Sequence, residues 1–256
     1  MHDLTPLSGL FGGALIGLAA AALMVLTGRL AGVSGIFGGL LTSRPADRGW
    51  RLAFVAGLIA APLVAWLSGA PLPRPAMASN LALVAAAGLL VGFGSRMGNG
   101  CTSGHGVCGF ARLSARSIAA TAIFMCTAVI TVAVVRHGFA WDATLAFVMA
   151  GAVAVSAAGF ALARRRGAPA LAARYHWPTR SDIDTPLAAG AVLFGIGWGL
   201  VGICPGPALV NLAGLSVPIV VFVAAMALGM LGYELSRMRG ASGTAASSVI
   251  TSRADG

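Results

Sequence analysis

Apolar residues run along this chain in blocks of about twenty, separated by short polar or glycine-rich stretches. Seven blocks stand out, at 9–28, 50–69, 80–97, 116–136, 142–163, 186–203 and 215–236. Each has the length at which a helix rising ~1.5 Å per residue crosses a ~30 Å hydrocarbon core. The pattern predicts an all-α integral membrane protein with about seven transmembrane helices.

Three glycine-rich segments interrupt the pattern with a shared design: TGRLAGVSGIFGGLL at 27–41, GSRMGNGCTSGHGVCGFARL at 94–113 and GWGLVGICPGPALVNLAG at 197–214. Each follows an apolar helix and carries a short second helix after a break. Arg29 lies five residues before Ser34, Arg96 five before Cys101 and Gly199 five before Cys204, so the three small polar residues occupy corresponding positions. Five extended residues span about 16 Å, enough to carry the chain from a membrane surface to near its midplane. The three segments are therefore expected to be re-entrant half-helix loops, with Ser34, Cys101 and Cys204 near mid-bilayer. In the third, Pro205 and Pro207 suit a first helical turn, whose N–H groups have no intrahelical partner.

With two loops dipping from one face and one from the other, the fold expected is an hourglass with pseudo-inverted halves, its irregular backbone lining a cavity and not lipid. Half-helix N-termini turn unpaired N–H groups and partial positive charge toward the waist, which favours an anion. The thiols add softness: S–H is a weak donor, better matched to a polarisable sulfur acceptor than to a strongly hydrated oxyanion.

Composition sharpens this reading. Of 256 residues 58% are hydrophobic and 9% charged, against roughly 25% charged in soluble domains. The net charge of +10 does not indicate nucleic-acid binding, because the arginines sit in short loops beside apolar spans, away from stacking aromatics. If the chain starts outside and the three breaks return to their own side, 15 arginines fall inside or at inner span ends and only Arg74 and Arg136 outside. That is the positive-inside asymmetry, and it predicts a bacterial inner-membrane protein with its N-terminus outside and its C-terminus inside. Met1 to Gly9 carry no positive charge, so a cleaved leader is not expected. The 164–185 loop is the one candidate linker, and 241–256 is expected to be a disordered cytoplasmic tail.

The segments GNGCTSGHGVCGFARLSARS at 98–117 and GIGWGLVGICPGPALVNL at 195–212 resemble the YeeE/YedE family of sulfur transporters, over most of residues 8–236. The resemblance implies import of thiosulfate or a related sulfur anion, handed inward by cysteines along the path. That role maps onto Cys101 and Cys204, while Ser34 stands where some relatives have a third cysteine. The family often occurs as two short proteins, and this chain resembles both halves fused: 1–138 with two re-entrant loops and 139–240 with one, joined near Arg136 to Trp141. A cytoplasmic sulfurtransferase is the soluble partner the resemblance suggests.

Around these positions the candidate substrate-binding residues are Asn99, Gly100, Thr102, Ser103, His105, Cys108, Pro205 and Gly206. Alternatives stay open for several. His105 either hydrogen-bonds loop carbonyls or, with Ser103, touches the anion; Asn99 ties the loop or donates to substrate; Cys108 faces the path or packs. Cys126, within IFMCTAVI, is expected to pack as a small hydrophobe; Arg29 and Arg96 either attract anions at the cytoplasmic mouth or, the favoured reading, snorkel to the interface. Cys101, His105 and Cys108 number only three and lack the usual zinc spacing, so no metal or other cofactor is expected. Nor is an enzyme, since no acid–base partner accompanies either cysteine. The rival readings are a relay in which a thiolate attacks the outer sulfur and holds a persulfide, and a channel for sulfide or selenium species.

Overall fold

The computed structural model describes residues 6–42, 45–72, 77, 80–136 and 144–254, with side chains to residue 239. His2, Arg44, Arg74, His137 and Trp141, and with them most of the expected junction, lie outside the described residues. Among the described residues every regular element is helical.

The helices are α1 (Pro6–Thr27), α2 (Val33–Thr42), α3 (Gly49–Leu67), α4 (Leu81–Met97), α5 (Ala115–Arg136), α6 (Thr144–Arg165), α7 (Thr185–Val201), α8 (Pro205–Asn211) and α9 (Val217–Ala254). Between α4 and α5 a wide π-helical segment covers Thr102–Gly109. Five helices are long and apolar enough to cross a membrane, and α4 with its π segment and α7 with α8 add two more spans, bent by 47° and 41°. All seven expected spans are therefore helices. The protein is an all-α membrane protein whose outward faces carry large apolar side chains such as Phe11, Leu15, Val64, Ile130 and Leu228, as a lipid solvent requires.

Local chemistry sets the ends. The Asn80 carboxamide accepts from Ala82 and Leu83 N–H at 3.0 and 3.2 Å, and the Asp184 carboxylate accepts from Leu187 N–H at 3.1 Å, capping α4 and α7. Gly28 and Gly202 close α1 and α7 in left-handed conformations, φ 71° and 74°, which glycine adopts without strain. The π segment and α8 finish alike: each passes into a short 3-10 turn and then a left-handed leucine, Leu113 (φ 54°) and Leu215 (φ 46°), followed by a serine and a membrane helix. The same turn at both places marks the two segments as copies of one design.

Helix directions follow from residues meeting across interfaces. Gly9, Gly13 and Gly17 of α1 face Thr144, Val148 and Ala152 of α6, so that pair is parallel. Gly88 and Gly92 of α4 face Phe222 and Met226 of α9, again parallel, whereas Gly94 of α4 faces Phe194 and Gly197 of α7 faces Ala87, which is antiparallel. Gly195 and Gly199 of α7 meet Phe124 and Ala128 of α5, in parallel. Hence α4 opposes α5, and α7 opposes α9. In each case a short helix, bent from the preceding one by 47° or 41°, lies between the opposed helices, a re-entrant-like element. Small residues at these contacts let the backbones approach closely, the usual source of helix association in lipid.

Helix α9 extends through Ala254. One expectation changes. Cys126 is exposed instead of packed inside, because its position on α5 turns away from Phe124 and Ala128, which face the core.

Candidate functional site

The three breaks meet. Cys101 precedes the first turn of the π segment, Cys204 that of α8, and Ser34 lies in the first turn of α2. Their exposures are 1%, 9% and 1%, and both cysteines belong to one buried cluster with Val33, Ile36 and Ile203. Two short side chains join the breaks. The Ser103 hydroxyl accepts from Val33 N–H at 3.0 Å and lies 3.2 Å from the Cys101 thiol, linking the first break to the second. The Thr102 side chain and Cys101 both lie close to the Cys204 thiol, so the second break abuts the third.

Within this knot the Ser34 hydroxyl is buried and has no hydrogen-bond partner among the described residues. An unmet buried hydroxyl costs about 1–3 kcal/mol, and here it sits where three helix N-termini converge. Pro205 is buried as the first residue of α8, where a missing N–H costs nothing. Gly206 approaches Val33, whose methyl would lie 3.8 Å from a Cβ at that position.

His105 is pinned at both ring nitrogens. Nε2 lies 3.2 Å from the Gly98 carbonyl, which can only accept, so Nε2 carries the proton; Nδ1 lies 3.1 Å from the Ser117 hydroxyl and accepts from it. The ring packs flat against Gly100. The geometry makes His105 a brace for the loop that carries Cys101. Asn99 beside it is left-handed at φ 58° and exposed. Cys108 is 1% exposed, its thiol 3.9 Å from the Ala31 carbonyl.

On one side of the knot opens a cavity of about 530 Å³, reaching Asn99, Gly100, Gly104, His105 and Cys108 at its floor. Arg29, Arg51, Arg112, Arg116 and Arg180 line its wall, with Asp47 as the acidic residue among them. Asp47 is held from several sides. It accepts from Arg51 at 2.7 and 3.1 Å, from the Trp50 indole N–H at 2.8 Å and from Arg29 at 3.0 Å, and both guanidiniums stack over the Trp50 ring. The Arg51 and Trp50 hydrogen bonds, followed by that from Arg29, hold its carboxyl well below the usual carboxylate range. Arg51 also donates to the Gly35 carbonyl of α2 at 3.0 Å, tying this clamp to the first re-entrant helix. Arg116 is buried and donates to the Asp182 carbonyl and, at 3.1 Å, to the Asp184 carboxylate. The 166–184 segment crosses the rim, with Ala170, Leu171 and His176 N–H donating to the Val25, Leu26 and Gly28 carbonyls at the end of α1.

Of this basic vestibule the sequence held only the arginine asymmetry between faces and the anion-attracting alternative for Arg29; the assembled wall was missed, because it comes from loops far apart in the chain. Arg29 and Arg96 do not simply snorkel: Arg29 is paired with Asp47, and Arg96 with Glu234 of α9. Thus Cys101, Cys204 and Ser34 form the buried knot, Thr102 and Ser103 stitch it, and Asn99, Gly100, His105 and Cys108 line the cavity beneath.

Residues 4–130 match the family described as Sulphur transport, and residues 136–244 match a family of unknown function. A protein named "Probable transporter" from Xylella fastidiosa (strain Temecula1 / ATCC 700964) is 46% identical over 123 residues, 48% of this chain and 89% of the relative. A "Probable transporter" from Xylella fastidiosa (strain 9a5c) is 44% identical over 94 residues, 37% of this chain and 64% of that relative. No solved structure matches the chain.

Proposed function

Because the chain belongs to the YeeE/YedE sulphur-transport family and is a membrane transporter, we propose that it imports thiosulfate or a closely related sulfur anion through the Cys101–Cys204–Ser34 knot. The observation that carries this reading is the burial of both thiols at the N-terminal ends of short helices that converge in one cluster. Helix N-termini favour negative charge, and S–H groups solvate a polarisable sulfur more readily than a hydrated oxygen shell. Fixed positive charge at the waist would bind the anion too firmly to release it. Ser34 contributes the hydroxyl left without a protein partner, which the cargo satisfies in passing.

In this reading the protein lies in the bacterial inner membrane with its N-terminus outside. The arginine-lined vestibule then faces the cytoplasm, as the positive-inside rule demands, and delivery to a cytoplasmic sulfurtransferase is its natural continuation.

The test is growth on thiosulfate as sole sulfur source in an uptake-deficient bacterial host, with membrane levels of each variant checked. Cys101→Ala and Cys204→Ala should each abolish growth, and Cys126→Ala should not. Full growth of either knot variant removes that thiol from the path. Competition by sulfide or selenium anions that exceeds competition by thiosulfate would reassign the cargo and leave the route intact.

A further inference from the structure

The vestibule is lined by arginines where the knot carries thiols and a hydroxyl. Of its five arginines, Arg29 and Arg51 are taken up by Asp47, and Arg116 by Asp184. Arg180 is exposed and only 3.8 Å from Asp184. Arg112 differs: its Nε donates to the Cys108 carbonyl at 3.1 Å, which fixes the guanidinium plane, and no carboxylate pairs with it among the described residues. Arg112 is among the residues that line the cavity. A guanidinium anchored through Nε presents a planar two-pronged donor, the geometry that binds oxyanions bidentately. It lies one helical turn beyond Cys108, below the break that carries Cys101.

We propose that the vestibule is a second anion site, with Arg112 as its receptor fork, that takes small divalent sulfur oxyanions by charge and shape without regard to an exposed sulfur. Sulfate and thiosulfate both fit it, although only the latter suits the thiols. Asp47 acts there as a tethered competing anion: by occupying Arg29 and Arg51 it keeps the mouth from holding a departing dianion too tightly. A concave wall with excess positive charge concentrates anions, so an uncompensated vestibule would become a trap. Sulfate on this face thereby competes with cargo leaving the knot. The proposal rests on the transport reading for its place in the cycle, but not for the binding itself.

The test is equilibrium binding of radiolabelled sulfate to the purified full chain in detergent, in gluconate buffer at low ionic strength. Saturable binding is expected, displaced by thiosulfate and weakened by salt. Arg112→Gln should weaken it about tenfold or more, and Arg112→Lys, which keeps the charge and loses the fork, by about threefold. Asp47→Asn should tighten it by about threefold or more, a gain that misfolding cannot produce. Arg174→Gln, a loss of like charge outside the cavity, and Cys126→Ala should leave it within about twofold. Absence of saturable binding, equal losses from Arg112→Gln and Arg174→Gln, or weaker binding in Asp47→Asn overturns the site. Sulfate binding that persists in a wild-type chain unable to support growth on thiosulfate supports the site and overturns only the cargo reading.

Discussion

Ser34 separates stability from function at a single atom. Its hydroxyl is buried without a partner, so replacing it by a methyl group removes an unmet polar group and leaves the fold unharmed. Ser34→Ala is expected to leave the melting temperature in detergent unchanged or to raise stability by up to about 1 kcal/mol, while thiosulfate uptake falls several-fold. Unchanged uptake would take Ser34 off the route. Ser34→Cys should keep most uptake, since a thiol there completes a set of three. Gly100 behaves in the opposite way. A Cβ at this position would lie 2.5 Å from the His105 ring, which two hydrogen bonds prevent from swinging aside. Gly100→Ala should therefore cost about 1–3 kcal/mol and lower uptake, through displacement of the loop that carries Cys101. A variant that melts like wild type would mean the ring is free to move.

Among the elements, the membrane spans and the three breaks were legible because they rest on local chemistry: apolar runs of sufficient length, and glycine or proline at 98–100 and 202–207. The partners of those spans were not. Nothing local says that α1 packs along α6 or α4 along α9, and the Arg96–Glu234 pair joins residues 138 apart. The vestibule was hidden for the same reason, its floor and wall being assembled from four separate loops. Of the site, Cys101, Cys204 and Ser34 could be aligned from their spacing alone, whereas the stitching by Thr102 and Ser103 needed coordinates. At these interfaces glycine is a steric requirement. Gly92 faces the Met226 backbone on α9 with no room for a Cβ, while a Cβ at Gly12 of α1 meets nothing within 4 Å. Gly92→Ala should destabilise the protein by about 1–3 kcal/mol. Gly12→Ala should be neutral or stabilising by up to about 1 kcal/mol through helix propensity, as read by thermal melting in detergent; similar melting for the two would refute the close approach. The Asp47 clamp joins α1, α2 and α3 and has its own pH signature. Its carboxyl is depressed in the folded state, so its contribution is fully present above the ordinary aspartate range and is lost as pH falls through the lowered value. The clamp should hold at pH 4, and Asp47→Asn should remove the acid-dependent part of the melting profile assignable to this loop.

At the scale of the molecule, the parts before and after residues 137–143 are not two bodies side by side. Helix α1 lies along α6, α4 between α7 and α9, and α5 against α7, so the principal interfaces of the first part are made with the second. The family matches fall on either side of that same stretch, at 4–130 and 136–244, and the relative at 46% identity is a shorter protein, 89% of which aligns with 48% of this chain. We propose a fusion of two once separate halves, which would account for both facts if the interleaved interfaces hold the halves together without a covalent link. It leads to a prediction that an ordinary two-domain protein would fail. Cut within 137–143 and expressed as two polypeptides in one cell, the halves should assemble and restore growth on thiosulfate, whereas either half alone should be degraded, with the glycine faces of α1 and α4 left against lipid. The Cys101–Cys204 knot draws one thiol from each half, so growth of the split protein would report the knot as well as the fold. Stable accumulation of a lone first half, or failure of the co-expressed pair when both are present in the membrane, would show that the connection at 137–143 does more than join them.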